Sequence, residues 1–419
     1  MKVMLIAHGH PSLHKGGGEV AAWALHQMNK EAGHDSVFVG WGGYARDHTE
    51  PVKALGDDDY LLYTDGEFYN FTSASANLEA GLVPLLLKHR PEVVHLHHYV
   101  HIGIDIAALI KQHLPRTKVV LTLHEYLALC MNNGQLLTKD GQLCPGPQPK
   151  RCATCFPHLS EEQHFMRTLS IKASFSWVDA FISPSDFLRQ KYAEWGLPMS
   201  AVKVVENPLP HIRSAQLGPK PAPKAGEPWV LGYFGQINYY KGLDIILDGL
   251  ALARKAGVPV KLHVHGKLSD VTHDNYMGRL EAKLAEFGEF VQFFGPYQQA
   301  NIQELMEQCH FLVMGSRWYE NSPVVIQEAI AADRPVIAPG IGGMREKVEG
   351  LGLLFAHQSP ESLANALQGL TESQYEALCA PVVERSRAMA DQVHENYKAV
   401  LNVYTSLRSE GTAPRTTIY

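Results

Sequence analysis

Alternation restricts the fold of this chain more than any other feature. Along its 419 residues, short branched apolar runs are separated by longer stretches of helical periodicity, and that order gives a parallel α/β protein. Strands are predicted at Lys2 to Ala7, Ser36 to Gly40, Val93 to Leu96, Lys118 to Leu123 and Ala180 to Ile182, with amphipathic helices between them. Ser214 to Pro228 holds four prolines and little apolar content, which reads as a linker. A second series of strands and helices runs from Trp229 to about Ala390, and a last helical stretch covers Glu395 to Leu407. The length exceeds what one core usually accommodates, so two domains are expected. Their bounds are 1–207 and 229–390, with a linker at 208–228 and a terminal segment at 391–419.

Open parallel sheets bind ligands at the carboxyl ends of their strands, so polar residues just past a strand are the candidates for a site. Trp229 to Phe234 is followed by Gly235-Gln236-Ile237-Asn238-Tyr239-Tyr240-Lys241-Gly242 and then by a periodic helix from Leu243 to about Ala256. Glycine allows a close backbone approach there, and Lys241 supplies a point charge for phosphate. Phe311 to Met314 reads as a buried strand, and Arg317-Trp318-Tyr319-Glu320-Asn321-Ser322-Pro323-Val324-Val325-Ile326-Gln327-Glu328 then places two carboxylates eight residues apart. Ser322 and Pro323 suit an N-cap and a first-turn proline, which leaves Glu320 in the loop and Glu328 about two turns into the helix. The N–H groups of Ser322 to Val325 at that helix start fit an anion. Carboxylates on either side fit hydroxyls, and nucleotide sugars combine phosphate with polyol. The plainer alternative is a buried helix with two solvated acids.

In the first half, Gly16-Gly17-Gly18-Glu19-Val20-Ala21 formally fits the G-x-G-x-x-A dinucleotide fingerprint. It begins nine residues past the strand, and Asp35 sits at the start of the second strand rather than its end, so dehydrogenase chemistry is set aside. Gly17 and Gly18 instead let a diphosphate or an acceptor approach backbone N–H groups. Four histidines fall in His95-Leu96-His97-His98-Tyr99-Val100-His101, and His124 ends the next strand. His95 belongs to its strand and reads as structural. Cys130, Cys144, Cys152 and Cys155 follow a C-x13-C-x7-C-x2-C spacing in a turn-rich segment. A structural zinc held by four thiolates would order a segment too poor in apolar residues to order itself. Free or redox thiols and an iron–sulfur cluster are the other readings.

These motifs together resemble the retaining glycosyltransferases of family 4. The resemblance rests on Gly16-Gly17-Gly18-Glu19, Val94 to His101, Ser183-Pro184-Ser185, Val205-Glu206-Asn207-Pro208, Gly235 to Gly242, Val291 to Gly295 and the two-glutamate motif. It implies the GT-B fold, two Rossmann-like parallel-sheet domains facing across a cleft, with the terminal helix returning to the first, acceptor-side domain. It further implies a nucleoside diphosphate sugar donor, a sugar, lipid-linked or other hydroxyl acceptor, and no cofactor for transfer. Glu328 would hold ribose hydroxyls and Glu320 sugar hydroxyls, with Asn321, Ser322, Val324 and Val325 completing the donor site. His101, and after it His97, would contact the transferred sugar, and His124 would face the acceptor. Where the family carries arginine after the motif glycine, this chain has Gln236, so Lys241, Arg317 or helix N-termini must supply more of the positive charge. A nucleotide-sugar epimerase and a non-catalytic nucleotide-sugar binder are the alternatives.

Bulk properties narrow the class. The net charge is −6, from 37 basic and 43 acidic residues, which gives no global case for nucleic acid. No run of 18 apolar residues occurs, and the first strand leads straight into glycines rather than into a signal-peptide pattern. A cytoplasmic enzyme, at most in peripheral contact with a membrane, is therefore expected.

Overall fold

The computed structural model describes residues 1–13, 16–65, 76–212, 214, 216–268, 275–409 and 416–418. Of the segments read as linker and terminal helix, positions 213, 215, 410–415 and 419 lie outside the described residues. The chain divides into two compact units, one of Met1–Leu209 with Val393–Tyr419 and one of Pro210–Gln392.

The first unit is built on eight strands: β1 (Lys2–Ala7), β2 (Asp35–Gly43), β3 (Val52–Ala54), β4 (Asp59–Tyr63), β5 (Val93–Leu96), β6 (Lys118–Thr122), β7 (Ala180–Ser183) and β8 (Val202–Val204). Their order in the sheet is β3-β4-β2-β1-β5-β6-β7-β8, and every pair is parallel except β3 with β4. The central strands are buried on both faces, as parallel strands between helical layers must be. The β3–β4 hairpin and β8 were not predicted. The helix Met389–Ser409 contributes Val400, Val403, Tyr404 and Leu407 to the core formed by Val3, Leu5, Phe38, Val93 and Val120. Its Tyr404 hydroxyl lies 2.7 Å from His95 Nδ1, whose Nε2 lies 2.7 Å from Thr122 Oγ1. His95 is thus a satisfied strand residue.

The second unit holds β9 (Trp229–Phe234), β10 (Val260–His265), β11 (Val291–Gly295), β12 (Phe311–Val313), β13 (Val336–Pro339) and β14 (Gly352–Phe355), ordered β11-β10-β9-β12-β13-β14 and parallel throughout. Leu231, Ile246, Leu262, Phe311 and Ile337 lie in its core. The proline-rich stretch differs from a free linker. Gly218 N donates to Asp333 and Gly218 O accepts from Arg334, while Lys220 O accepts from Tyr375 and Pro221 O bonds His310. Partners distant in sequence strap it to the second unit, which local composition does not reveal.

In each sheet the chain reverses its direction of winding once. The reversal lies between β1 and β5 in the first and between β9 and β12 in the second. Just outside the carboxyl ends of two such strands there is room that no crossover helix fills.

Candidate active site

At the reversal of the second sheet, β9 ends in Gly235, which has φ 139°. Asn238 caps the tight turn Tyr239–Lys241 by accepting from Lys241 N at 3.1 Å. Gly242 follows in the left-handed region, φ 62°. A Cβ on Gly242 would fall 2.0 Å from the Gly315 carbonyl oxygen, and one on Gly315 would fall 2.3 Å from that of Gly242. Only glycines let these two backbones touch. The approach joins the two loops: Arg317 N donates to Tyr240 O at 2.9 Å, and Lys241 Nζ reaches Glu320 Oε1 at 2.6 Å. Ser316 Oγ at 2.8 Å and Trp318 Nε1 at 3.1 Å donate to the same oxygen. Glu320 is 6% exposed, so three donors fix its orientation while one oxygen keeps acceptor capacity.

A third loop closes on this one. Gly343 N donates to Glu320 O at 2.8 Å, and a Cβ at Gly343 would land 1.5 Å from the Asn321 carbonyl oxygen. Sequence reasoning passed over Gly342-Gly343, although a glycine pair just past a strand was the available signal. His357 was also missed; its Nε2 lies 2.7 Å from Arg317 O.

The helix of the two-glutamate motif is Val324–Ala331, with Pro323 at the cap position and no side-chain cap. Ser322 is therefore not the N-cap, and Glu328 sits little more than one turn into the helix rather than two. Glu328 is buried and accepts from Gln299 Nε2. Burial raises its carboxyl above the usual range, and the Gln299 bond partly offsets this. Arg317 departs from its expected place as a cation for the donor. Its guanidinium grips Asp244 through two nitrogens, at 2.9 and 2.5 Å, donates to Tyr239 O at 2.6 Å and lies over the Tyr239 ring. A bidentate carboxylate neutralises that charge, so Arg317 braces the two loops. Gln236 is exposed, and its carbonyl accepts from Tyr233 at 2.6 Å.

At the reversal of the first sheet a second cluster forms from the residues just past β1, β5 and β6. His97 Nδ1 lies 3.0 Å from His124 Nε2, with the rings stacked. His8 approaches Glu19 at 3.3 Å and His98 at a centroid distance of 4.4 Å. His98 Nδ1 accepts from the N–H groups of Tyr99 and Val100, so its Nε2 carries the hydrogen and donates to Glu125 Oε1 at 3.1 Å. Burial lowers His98 to about 3 and holds His97 and His124 well below the usual value, so all three are neutral. Burial lifts Glu125 to about 8. Gly17 opens the helix Gly17–Glu31. A Cβ on Gly18 would press on His8 at 3.2 Å and on His124 at 3.6 Å, so this glycine makes room for the histidines. The structure brings together the expected His97 and His124 and adds His8, His98, Glu19 and Glu125. His101 instead stacks on Trp41 at 4.4 Å, with φ 64° and its carbonyl accepting from Thr64.

The four cysteines are free thiols that line one cavity of 420 Å³ in the first unit. Burial pushes Cys130 up to about 11, with Cys144 and Cys152 adding to the rise. No group of three or more His, Cys, Asp or Glu among the described residues is arranged to hold a metal ion. Cys309 and Cys379 are buried singly in the second unit.

Two parallel sheets, each with its polar cluster at the reversal of winding, define the class: this is the GT-B fold. Solved structures agree on the fold. The Anabaena protein HepE in complex with UDP and glucose is 17% identical, with a TM-score of 0.65 over 97% of this chain and 100% of its own. The sucrose-phosphate synthase of Thermosynechococcus elongatus is 17% identical, with a TM-score of 0.68 over 98% and 100%. More particularly, residues 15–212 match the family model described as Glycosyltransferase Family 4, and residues 228–373 match that of Glycosyl transferases group 1. Fold and models together support a GT-B glycosyltransferase. Among curated relatives, the D-inositol 3-phosphate glycosyltransferase of Jonesia denitrificans is 30% identical over 147 residues, 33% of this chain and 34% of that protein. A glycogen synthase of Thermus thermophilus is 29% identical over 164 residues, 37% and 36% of the two chains. The chain thus spans about a third of the length of the curated relatives it matches.

Proposed function

We propose that the protein is a retaining glycosyltransferase of family 4, moving a sugar from a nucleoside diphosphate sugar to an acceptor hydroxyl in the assembly of a polysaccharide or other glycoconjugate. The observation that carries this reading is the Lys241–Glu320 pair at 2.6 Å, held between two glycine-pinned loops beside the start of Val324–Ala331. The leaving diphosphate develops negative charge. Lys241 and the N–H groups at that helix start would stabilise it without reorganising, the arrangement that lowers a barrier most. Fixed cations of this kind make added metal unnecessary for the step. Glu320 would accept from hydroxyls of the transferred sugar, and Glu328, oriented by Gln299, from those of the ribose. His97 and His124, neutral and adjacent, would bond the acceptor hydroxyls, with His101 toward the transferred sugar.

The test is a panel of nucleoside diphosphate sugars scored first for protection against thermal unfolding and then for transfer in chelator. Bound ligand raises stability by mass action. One donor that both stabilises the protein and yields glycosylated product with its anomeric configuration kept supports the reading. Stabilisation without product, or an absolute need for added magnesium, counts against it.

A further inference from the structure

Strands β2, β4 and β5 run parallel to β1 and end on the same side of the first sheet. Beside the histidine cluster, that end carries a group of aromatic rings, most of which the reaction above leaves unused. A register shift between Trp41 and Gly43 interrupts the pairing of β2 with β4, and such a bulge re-aims side chains at the rim of a sheet. A Cβ on Gly42 would fall 2.8 Å from Tyr63 Cε1, and one on Gly43 would fall 3.3 Å from His48 Nε2, so the two glycines make room for rings. Tyr44 meets Trp41 edge-on at 5.3 Å, and the turn Ala45–Asp47 brings His48 back onto Tyr63 at a centroid distance of 3.6 Å. His101, turned toward the transferred sugar in the proposed reaction, stacks on Trp41 and meets Tyr44 edge-on at 6.1 Å. Trp41 and Tyr63 are buried, Tyr44 and His101 half-buried and His48 exposed. Two buried rings thus support a row of accessible ones.

Aromatic faces are apolar and carry the negative side of the ring quadrupole. A pyranose complements them, because its C–H groups gather on the two faces of the ring while its hydroxyls project from the rim. That rim has partners here as well. Arg46 is exposed, and its guanidinium lies over Tyr44 at 4.5 Å, which brings a planar fork of N–H donors to the edge of the rings. A lipid chain would use the rings and waste the guanidinium, and a phosphate would use the guanidinium and waste the rings. We propose that Tyr44, His48 and Arg46 form a saccharide subsite, where a sugar of the acceptor packs its C–H face on the two rings and Arg46 bonds its hydroxyls. The inference rests on the glycosyltransferase reading and gives the acceptor a class, a pyranose-containing glycan. His101 joins the two sugars: one face of its ring rests on the platform of Trp41, beside which Tyr44 holds the acceptor.

Saturation-transfer NMR on the full chain reads this binding without any transfer reaction. The probes are the methyl pyranosides of glucose, galactose and mannose and the disaccharide cellobiose, with glucitol, which carries hydroxyls but no ring, as the control. On irradiation of the aromatic protons, the C–H protons on one face of at least one pyranoside should be saturated well above those of glucitol. Its affinity should fall about five- to tenfold in Tyr44→Ala and in His48→Ala, and should be kept in Tyr44→Phe, which retains the ring. Thermal protection by the nucleotide-sugar donor should stay native in all three, which also shows that they fold. A pyranoside bound in this way by a protein that no donor stabilises would leave the subsite standing and remove the catalytic reading alone. No pyranoside saturated above glucitol, or an affinity unchanged in both alanine variants, would overturn the subsite.

Discussion

One oxygen of Glu320 receives a lysine ammonium, a serine hydroxyl and an indole N–H, and these donors differ in what their loss should do. Lys241→Ala removes a charge from the reacting centre and should lower turnover at least a hundredfold, about 3 to 4 kcal/mol of barrier, as should Glu320→Ala, with circular dichroism unchanged. Ser316→Ala removes one hydrogen bond to a buried carboxylate. It should cost about 1.5 to 3 kcal/mol of stability, measured by denaturant titration, with a much smaller effect on turnover. Equal losses of turnover in all three variants would mean that Glu320 is a structural carboxylate. Lys241, Glu320 and Glu328 stood out in the sequence because their neighbours set the local geometry. Arg317 did not reveal its partner, because Asp244 lies 73 positions away and nothing between them signals the contact.

Loops rather than helices determine this site, and glycines position them. Gly242, Gly315 and Gly343 stand where a methyl group would enter a carbonyl oxygen. Gly343→Ala must push the Glu320–Asn321 backbone outward, at a cost of about 1 to 3 kcal/mol. Turnover should fall at least tenfold while Gly56→Ala, where nothing stands within 4 Å and φ is not positive, keeps the native rate; steady-state kinetics of the pair measures the difference. Among the elements, β1, β5 and β9 are continuous apolar runs and were legible to the residue. The β3–β4 hairpin was not, since Val52–Ala54 has only three residues and leads into an acidic turn, Asp57-Asp58-Asp59. The switch-point site of the first unit was half legible. Its histidines were visible beside β5, but His8 and Glu125 join them only through strand order, which is a property of the sheet.

Across the whole molecule, buried histidines set the response to acid. Burial lowers His95 and His98 to about 3 and His26 to about 4, against 6.5 in the unfolded chain. His97 and His124 move the same way. Between those values the unfolded chain binds more protons, so stability rises with pH up to about 6.5 and is lost as pH falls, by about 1.4 kcal/mol per unit for each histidine. Glu125 runs opposite: burial lifts it from 4.5 to about 8, the folded state holds its proton longer, and stability falls as pH rises through that window. His265 and His310, also lowered to about 4 by burial, join the histidines, and Glu328, raised by burial, joins Glu125; the histidines outnumber the carboxyls, so Tm should peak near pH 6.5, dropping steeply toward pH 5 and gently toward pH 8. Calorimetry checks this, and His98→Asn should flatten the acid limb.

The helix Met389–Ser409 supplies Val400, Val403, Tyr404 and Leu407 to the core around β1, and the whole of Pro210–Gln392 stands between that core and its last piece. During synthesis the strands of that core must therefore wait, their apolar face uncovered, until Met389–Ser409 has been made. The first unit begins earlier and is completed later than the second, so a chaperone that shields nascent chains would find its main customer here in the strands of the first unit.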